Sequence, residues 1–328
     1  MTNTRISVAL CTYNGAAFLP EQLDSLLRQT RLPDEIVIGD DGSTDGSLGI
    51  VEAFARKALE AGVQMKVVRQ PVNVGYVRNF SDMLLRTSGE VIFLCDQDDC
   101  WRADKLALMT GRFDCEPDLL LLCSDARLVD ADSHDLGVTQ FDALELDTTE
   151  RVAVHAGRAF EVLLRRSMVT GATAAVRRSV LGACLPVGQN WIHDEWLAIV
   201  VAAIGRLDVV EQTLIDYRQH ASNQVGMRKR TLRDKWRDLV CARQQQFRAE
   251  VVRMQVLERH LASLGDQVGD KDLASLACRR RHFETRVAMG VLARWRRMPA
   301  IWREARVGNY ARFGTGARSI LRDLLRHG

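Results

Sequence analysis

Val91-Ile92-Phe93-Leu94-Cys95-Asp96-Gln97-Asp98-Asp99 is the stretch from which the fold of this chain is read. An apolar run with β-branched and aromatic residues ends abruptly in three carboxylates. That is the pattern of a buried strand delivering acid groups to one edge of a sheet. Carboxylates this close repel and raise one another's pKa, so the run implies a partner of opposite charge, most simply a hard divalent cation held by oxygen ligands. A solvated acidic turn is the alternative, and the flanking sequence has to choose.

Upstream, strand-like and helix-like runs alternate. Ile6–Leu10 reads as a first strand with the polar loop Cys11-Thr12-Tyr13-Asn14-Gly15 at its end, and Phe18, Leu19, Leu23, Leu26 and Leu27 recur at helical spacing. Glu35–Gly39 is a second strand running into Asp40-Asp41-Gly42-Ser43-Thr44-Asp45, where Ser43 or Asp45 is placed to cap a helix through Phe54. Met65–Val68, the turn Asn73-Val74-Gly75 and a helix over Tyr76–Thr87 lead back to the opening stretch. The alternation predicts an α/β fold, a mostly parallel sheet with helices on both faces. Ligands of such sheets bind at the carboxyl ends of the strands, where Tyr13, Asp41 and Asp98 all fall. Neither GxGxxG after the first strand nor GxxxxGK[ST] occurs, which excludes a dinucleotide fingerprint and a P-loop.

Downstream, the spacing predicts a helix over Lys105–Phe113, a strand over Leu119–Ser124, a helix around Phe160–Arg166, an apolar helix over Leu197–Ile204 and a final strand from Thr213 to His220. Asp125 to His155 carries no clear period. The small residues Gly171–Val176 suit a tightly packed strand or a backbone close to a ligand.

The 328 residues exceed one average domain, and 47% hydrophobic with 27% charged residues is ordinary for a globular chain. The net charge of +3 conceals an asymmetry: residues 1–226 hold 21 Lys and Arg against 32 Asp and Glu, residues 227–328 hold 24 against 10. An acidic domain over 1–226 and a basic helical extension over 227–328 are expected, the second facing an anionic surface or simply solvated. The eight cysteines form no CxxC pair, which points to reduced thiols rather than disulfides or zinc. The longest apolar stretches fall far below the ~18 residues of a membrane span and no signal sequence is visible, so a cytoplasmic location, at most peripheral on the inner membrane face, is expected.

The order of these motifs resembles the family 2 nucleotide-sugar glycosyltransferases of the GT-A fold, over most of residues 5–226. It is carried by Thr12-Tyr13-Asn14, Asp40-Asp41-Gly42-Ser43-Thr44-Asp45, Asn73-Val74-Gly75 with Arg78-Asn79, Asp96-Gln97-Asp98-Asp99 with Trp101, His193-Asp194-Glu195-Trp196 and Tyr217-Arg218-Gln219-His220. In detail these look most like bacterial members that build surface polysaccharides of the O-antigen kind, rhamnosyltransferases included. The resemblance implies that Tyr13 stacks on the donor base, Asp41 accepts from a uracil or thymine imide, and Thr12 and Asn14 line the same loop. Arg78 would reach the diphosphate, Asp96 and Asp98 would hold Mg²⁺ or Mn²⁺, with Asp96 also near the donor ribose, and His220 would bind the same ion or close over the diphosphate. Asp194 would be the catalytic base, with Glu195 turned away from the crevice. The blander readings are a half-buried strand-end aromatic for Tyr13, helix caps for Asp41 and Asp194, a surface pair with Asp82 for Arg78 and a structural histidine for His220. Two departures from the pattern are Cys11, where some relatives carry a hydroxyl residue, and the missing alanine before Arg78-Asn79.

The implied activity is inverting, metal-dependent transfer of a sugar from a UDP- or dTDP-sugar, dTDP-rhamnose among them, to a growing, lipid-linked surface glycan. The rivals are a catalytically silent nucleotide-sugar-binding module of a membrane assembly and a phosphatase that uses a DxD on an early strand. In the extension, Met227 to Leu264 reads as one long helix with Leu232, Trp236, Leu239, Val240, Phe247, Val251, Met254 and Leu257 as its apolar stripe. After a break at Leu264–Asp270 come helix-like segments over Arg279–Arg297, Ile301–Arg306 and Ile320–Leu325. They fit a subdomain packed on the catalytic body, within one chain or through a homodimer, or a basic amphipathic surface on anionic lipid. No nucleic-acid-binding module is recognisable, so no nucleic-acid partner is expected.

Overall fold

A computed structural model of the chain describes residues 4–220 and 243–326. Those within Met1–Ala159, Met168–Val187 and Ile192–Arg228 form one compact unit, and those within Phe160–Ser167, Gly188–Trp191 and Lys229–Gly328 a second.

The opening stretch becomes β4 (Val91–Cys95), buried at every residue because it lies inside a sheet. β1 (Ile6–Thr12) runs parallel to it on one side, and β8 (Ala174–Arg177) antiparallel on the other. With β2 (Glu35–Asp40), β3 (Gln64–Arg69), β5 (Cys100–Trp101), β6 (Leu119–Val129), β7 (Asp135–Thr139) and β9 (Arg206–Arg218), the order is β3-β2-β1-β4-β8-β6-β9-β5, and β7 pairs with β6. Side chains alternate between the two faces. Val8, Leu10 and Phe93 pack with Leu23 of α1 (Leu19–Leu27), Phe54 of α2 (Ser47–Glu60) and Met109 of α4 (Lys105–Cys115). α3 (Tyr76–Arg86) lies on β1 and β2 and buries Phe80, Met83 and Leu84. The expected α/β fold is therefore present, with its parallel half at β3-β2-β1-β4.

The amino-terminal edge of that half is clamped by Glu35, which is fully buried. It accepts from Ser7 Oγ (2.5 Å), Ser88 Oγ (2.8 Å), the Ser88 amide and Lys66 Nζ (3.1 Å). Burial alone pushes its carboxyl up, but the bonds from Ser7, Ser88 and Lys66 outweigh it and hold the group down at about 2.

Several expected boundaries move. α2 begins at Ser47 behind Gly46 and runs to Glu60, beyond Phe54; Asp45 accepts from the Ser47 amide (3.0 Å) without being the cap residue. The unassigned Asp125–His155 stretch completes β6, forms β7, and then makes α5 (Gln140–Ala143) and α6 (Thr148–His155). Both helices open with capping boxes, Thr139/Asp142 and Asp147/Glu150, a signal present in the sequence. α7 (Ala159–Leu163) ends before Arg166. Gly171–Thr173 is a 3-10 turn ahead of β8, α8 spans Leu181–Cys184, α9 (His193–Ile204) starts at the acidic motif itself, and β9 starts at Arg206.

In the second unit, α10 (Gln244–Ser263), α11 (Asp270–Gly290), α12 (Arg294–Arg306), α13 (Asn309–Arg312) and α14 (Ala317–Leu325) follow one another, with a 3-10 turn at Gly265–Gln267 in the expected break. Phe247, Met254 and Leu257 are buried, whereas Leu232, Trp236, Leu239 and Val240 lie outside the described residues. Trp191 Nε1 donates to Arg253 O (3.2 Å) and Arg165 Nε to Gly314 O (3.1 Å). Of the extension's arginines, Arg279, Arg286, Arg297 and Arg326 are buried. Asp323 explains part of this: it accepts from Arg286 Nε (2.8 Å) and Nη2 (3.1 Å) and from Tyr310 Oη (2.9 Å), with Arg326 Nε at 3.4 Å. A buried guanidinium needs such planar, multiple partners. Among the described residues no helix is long and apolar enough to cross a membrane.

Candidate active site

Three loops at the carboxyl ends of β1, β2 and β4 are bonded to one another. Gln97 Oε1 accepts from Thr12 Oγ1 (2.7 Å) and the Tyr13 amide (2.8 Å), and its Nε2 donates to Tyr13 O (3.3 Å). A Cβ on Gly15 would stand 2.2 Å from Gln97 Oε1, so this close approach requires glycine. Asn14 (φ 46°) donates its amide to Ser43 Oγ (2.9 Å) and accepts from the Thr44 amide on Oδ1 (2.9 Å). Thr12 and Asn14 thus brace the loops, while the Tyr13 ring, 45% exposed, is open to stacking. Asp41 is buried, and its two oxygens accept from the Val74 (2.7 Å) and Gly75 (2.9 Å) amides, holding the turn ahead of α3 rather than capping a helix. Arg78 is exposed and lines a groove of about 620 Å³ with Ser81, Asp82, Leu181 and Pro186. The surface pair with Asp82 is not what Asp82 shows: its Oδ2 accepts from Gln70 Nε2 (3.3 Å).

Around the acid cluster, Asp98 Oδ2 lies 2.8 Å from His220 Nε2, and the imidazole stacks on Phe18 with centroids 4.6 Å apart. Asp99 Oδ1 accepts from the Arg218 amide (3.0 Å), and Arg218 Nε donates to Asp98 O (2.8 Å). Buried Arg218 also reaches Ala131 O, Ser133 Oγ and the Glu21 carboxylate, so the end of β9 is locked against the β4 loop. Burial, then the charges of Asp98 and Asp194, push Asp96 up to about 8, with Lys105 pulling the other way. Burial, then Asp98 and Asp96, also raise Asp99, whose Oδ2 is buried without a hydrogen-bond partner among the described residues. Lys105 is fully buried; Nζ donates to Ala172 O (2.7 Å) and sits 3.7 Å above the Trp101 ring. Burial pulls its ammonium down to about 7, against Cys95, Asp99 and Asp96. Gln97 and Arg218 lie inside motifs that carry the resemblance, yet neither they nor Lys105 receive a role from the sequence, because their partners are distant in the chain.

Asp96 and Asp99, raised first by burial and then by neighbouring charge, with one buried oxygen left over and an imidazole beside Asp98, form a donor set that fits a hard divalent cation such as Mg²⁺ or Mn²⁺. The trio of half-buried Asp130 with exposed Asp132 and His134 is different: Asp130 Oδ1 already accepts from the Asp132 and His134 amides (2.9 Å each), as a tight turn requires.

Asp194 occupies the first turn of α9, behind Ile192 as cap residue, so the capping alternative does not describe it. Its Oδ2 accepts from the Gly171 amide (2.8 Å) and its Oδ1 from the Glu195 amide (2.7 Å). A Cβ on Gly171 would lie 3.0 Å from His193 Nε2 and 3.7 Å from Asp194, which accounts for the small residues there. His193 is buried and stacked on Phe80 (4.2 Å), with Tyr76 edge-on at 6.0 Å. After burial, the charges of Asp194 and then Glu195 raise the Tyr76 hydroxyl.

Residues 7–184 match the profile of glycosyl transferase family 2. The chain belongs to this family. An uncharacterised glycosyltransferase of Nostoc sp. is 28% identical over 225 residues, 67% of this chain and 66% of the relative, so the match spans just under two thirds of that relative's length. Staphylococcus aureus TarS, residues 1–349, superposes with a TM-score of 0.56 at 18% identity, covering 85% of this chain and 71% of that one. The Pyrobaculum calidifontis mannosyltransferase PcManGT, determined with GDP-Man and Mn²⁺, gives 0.53 at 18% identity, covering 94% and 77%. These likenesses establish the GT-A fold of this family 2 chain, with a helical region after the sheet.

Proposed function

We propose that this family 2 glycosyltransferase moves a sugar from a nucleoside-diphosphate donor, a UDP- or dTDP-sugar, to an acceptor hydroxyl with inversion. The observation that carries the reading is the gathering of Asp96, Asp98, His220 and Asp194 at the carboxyl ends of the strands, where Asp194's charge acts on Asp96. Asp96, Asp98 and His220 would hold a divalent cation, which when bound would offset the negative charge of a departing nucleoside diphosphate. Tyr13 stacks on the base, Asp41, which also holds the turn ahead of α3, accepts from the base's imide N–H, Thr12 and Asn14 line the same loop, and Arg78 is the cation proposed for the diphosphate. Asp194, oriented by the Gly171 amide, takes the proton of the attacking hydroxyl on the face opposite the leaving group.

We carry residues 1–226 as the catalytic domain and 227–328 as its extension, with a lipid-linked bacterial surface glycan as acceptor, dTDP-rhamnose among the donors, and the extension at an anionic membrane. The test is a panel of nucleotide sugars scored by thermal stabilisation with and without Mn²⁺, followed by turnover of the donor that binds. Mn²⁺-dependent stabilisation by a uridine or thymidine nucleotide is expected. Stabilisation by none of the panel overturns the reading.

A further inference from the structure

The polarity of α12 is inside out. Its buried side carries Arg297, Ile301 and Glu304. Arg297 donates to the carbonyls of Leu292 (2.9 Å), Asp323 (3.1 Å) and Arg326 (3.0 Å), and Glu304 meets His282 Nδ1 (2.7 Å) and Asn309 Nδ2 (2.8 Å). The outward side carries Trp295, Met298 and Trp302, which are 70%, 52% and 63% exposed. At about 100° per residue these three fall within about 60° of one another, their centre about 120° around the helix from that of the buried trio. Arg296 lies 4.9 Å from the Trp295 ring and Arg306 5.4 Å from Trp302, and Arg303 is also exposed. Glu304, the one acid of the helix, is turned inward, so the outward side is aromatic and cationic without a negative charge.

We infer that this face of α12 rests in the headgroup region of an anionic bilayer. Tryptophan favours that interface because its ring is amphipathic, and guanidinium groups pair with lipid phosphates in two-point hydrogen bonds. The charge pattern also argues against a second copy as the occupant. A two-fold contact through this face would set Arg296, Arg303 and Arg306 against themselves. The inference deepens the membrane reading of residues 227–328 and does not depend on the sugar-transfer chemistry.

The test uses the full chain with vesicles of phosphatidylcholine alone or mixed with phosphatidylglycerol, read by co-sedimentation and by the tryptophan emission shift. Binding to the mixed vesicles, weakened by high salt, is expected for the wild type. Trp295→Ser/Trp302→Ser should lose about tenfold or more of the partitioning, and Met298→Glu should act in the same direction. All three side chains point outward, so melting temperature and nucleotide-dependent stabilisation should stay as in the wild type and show that the variants fold. Wild-type protein that ignores both vesicles overturns the inference and leaves sugar transfer to its own assay. A double variant that binds as well as wild type places the lipid contact elsewhere and overturns it too. So does a concentration-dependent dimer that the double variant abolishes.

Discussion

His220 Nε2 sits 2.8 Å from Asp98 Oδ2, across a separation of 122 residues. The loop after β9 therefore closes onto the loop after β4, and the same junction is held from behind by Arg218. A first expectation follows for metal binding. Asp98→Ala should abolish Mn²⁺ binding in titration calorimetry along with donor turnover, and His220→Ala should weaken it by about 10–100-fold. Unchanged Mn²⁺ affinity in both variants would remove these residues from the ion site.

Asp194 is oriented by two amides and touches the turn at Gly171. Asp194→Asn keeps the shape and removes the proposed base, so kcat should drop by about 10²–10⁴ with the donor KM little changed. A fall in donor affinity at constant kcat would show a binding role instead.

Lys105 joins the two halves of the site, since Nζ holds Ala172 O beside the Gly171 amide that holds Asp194. Lys105→Met, similar in length and without charge, should lower kcat while tightening Mn²⁺, because one positive charge leaves the surroundings of Asp96 and Asp99. Calorimetry and steady-state rates, measured on the same preparation, separate this from a general loss of structure, which would weaken both.

Glu35 makes stability depend on acid. Its folded carboxyl sits at about 2, below the ordinary range near 4.5, so its contribution is complete above about pH 4.5 and is lost as pH falls through about 2. The full effect is on the order of 3 kcal/mol. Denaturant melts of the wild type and Glu35→Gln should differ most at neutral pH and converge toward pH 2.

In the helical unit, Asp323 is buried among Arg286, Arg326 and Tyr310. Asp323→Ala leaves guanidinium charge without its partner and should cost about 3–5 kcal/mol. Limited proteolysis over residues 243–326 reads that loss directly.

Much of this was legible in the chain. The alternation of strands and helices, the carboxylates after Leu94-Cys95 and the break near Gly265 all depend on neighbours in sequence, through side-chain period and turn chemistry. The capping boxes at Thr139 and Asp147 are equally local, each joining residues three apart in the chain. Other features arise only when distant segments pack. Gln97 binds the β1 loop because Gly15 leaves room for it. Asp41 spends its oxygens on a turn more than thirty residues away. Lys105 finds Ala172, and Arg218 finds Asp98 and Asp99. Among the described arginines of the extension, Arg286 and Arg326 gather around buried Asp323 whereas Arg296, Arg303 and Arg306 lie exposed on α12, a difference that composition cannot express. A periodic pattern reports which side of an element is apolar, but in α12 the packed side is the polar one, and only the partners His282, Asn309 and the carbonyls of Asp323 and Arg326 make that arrangement stable.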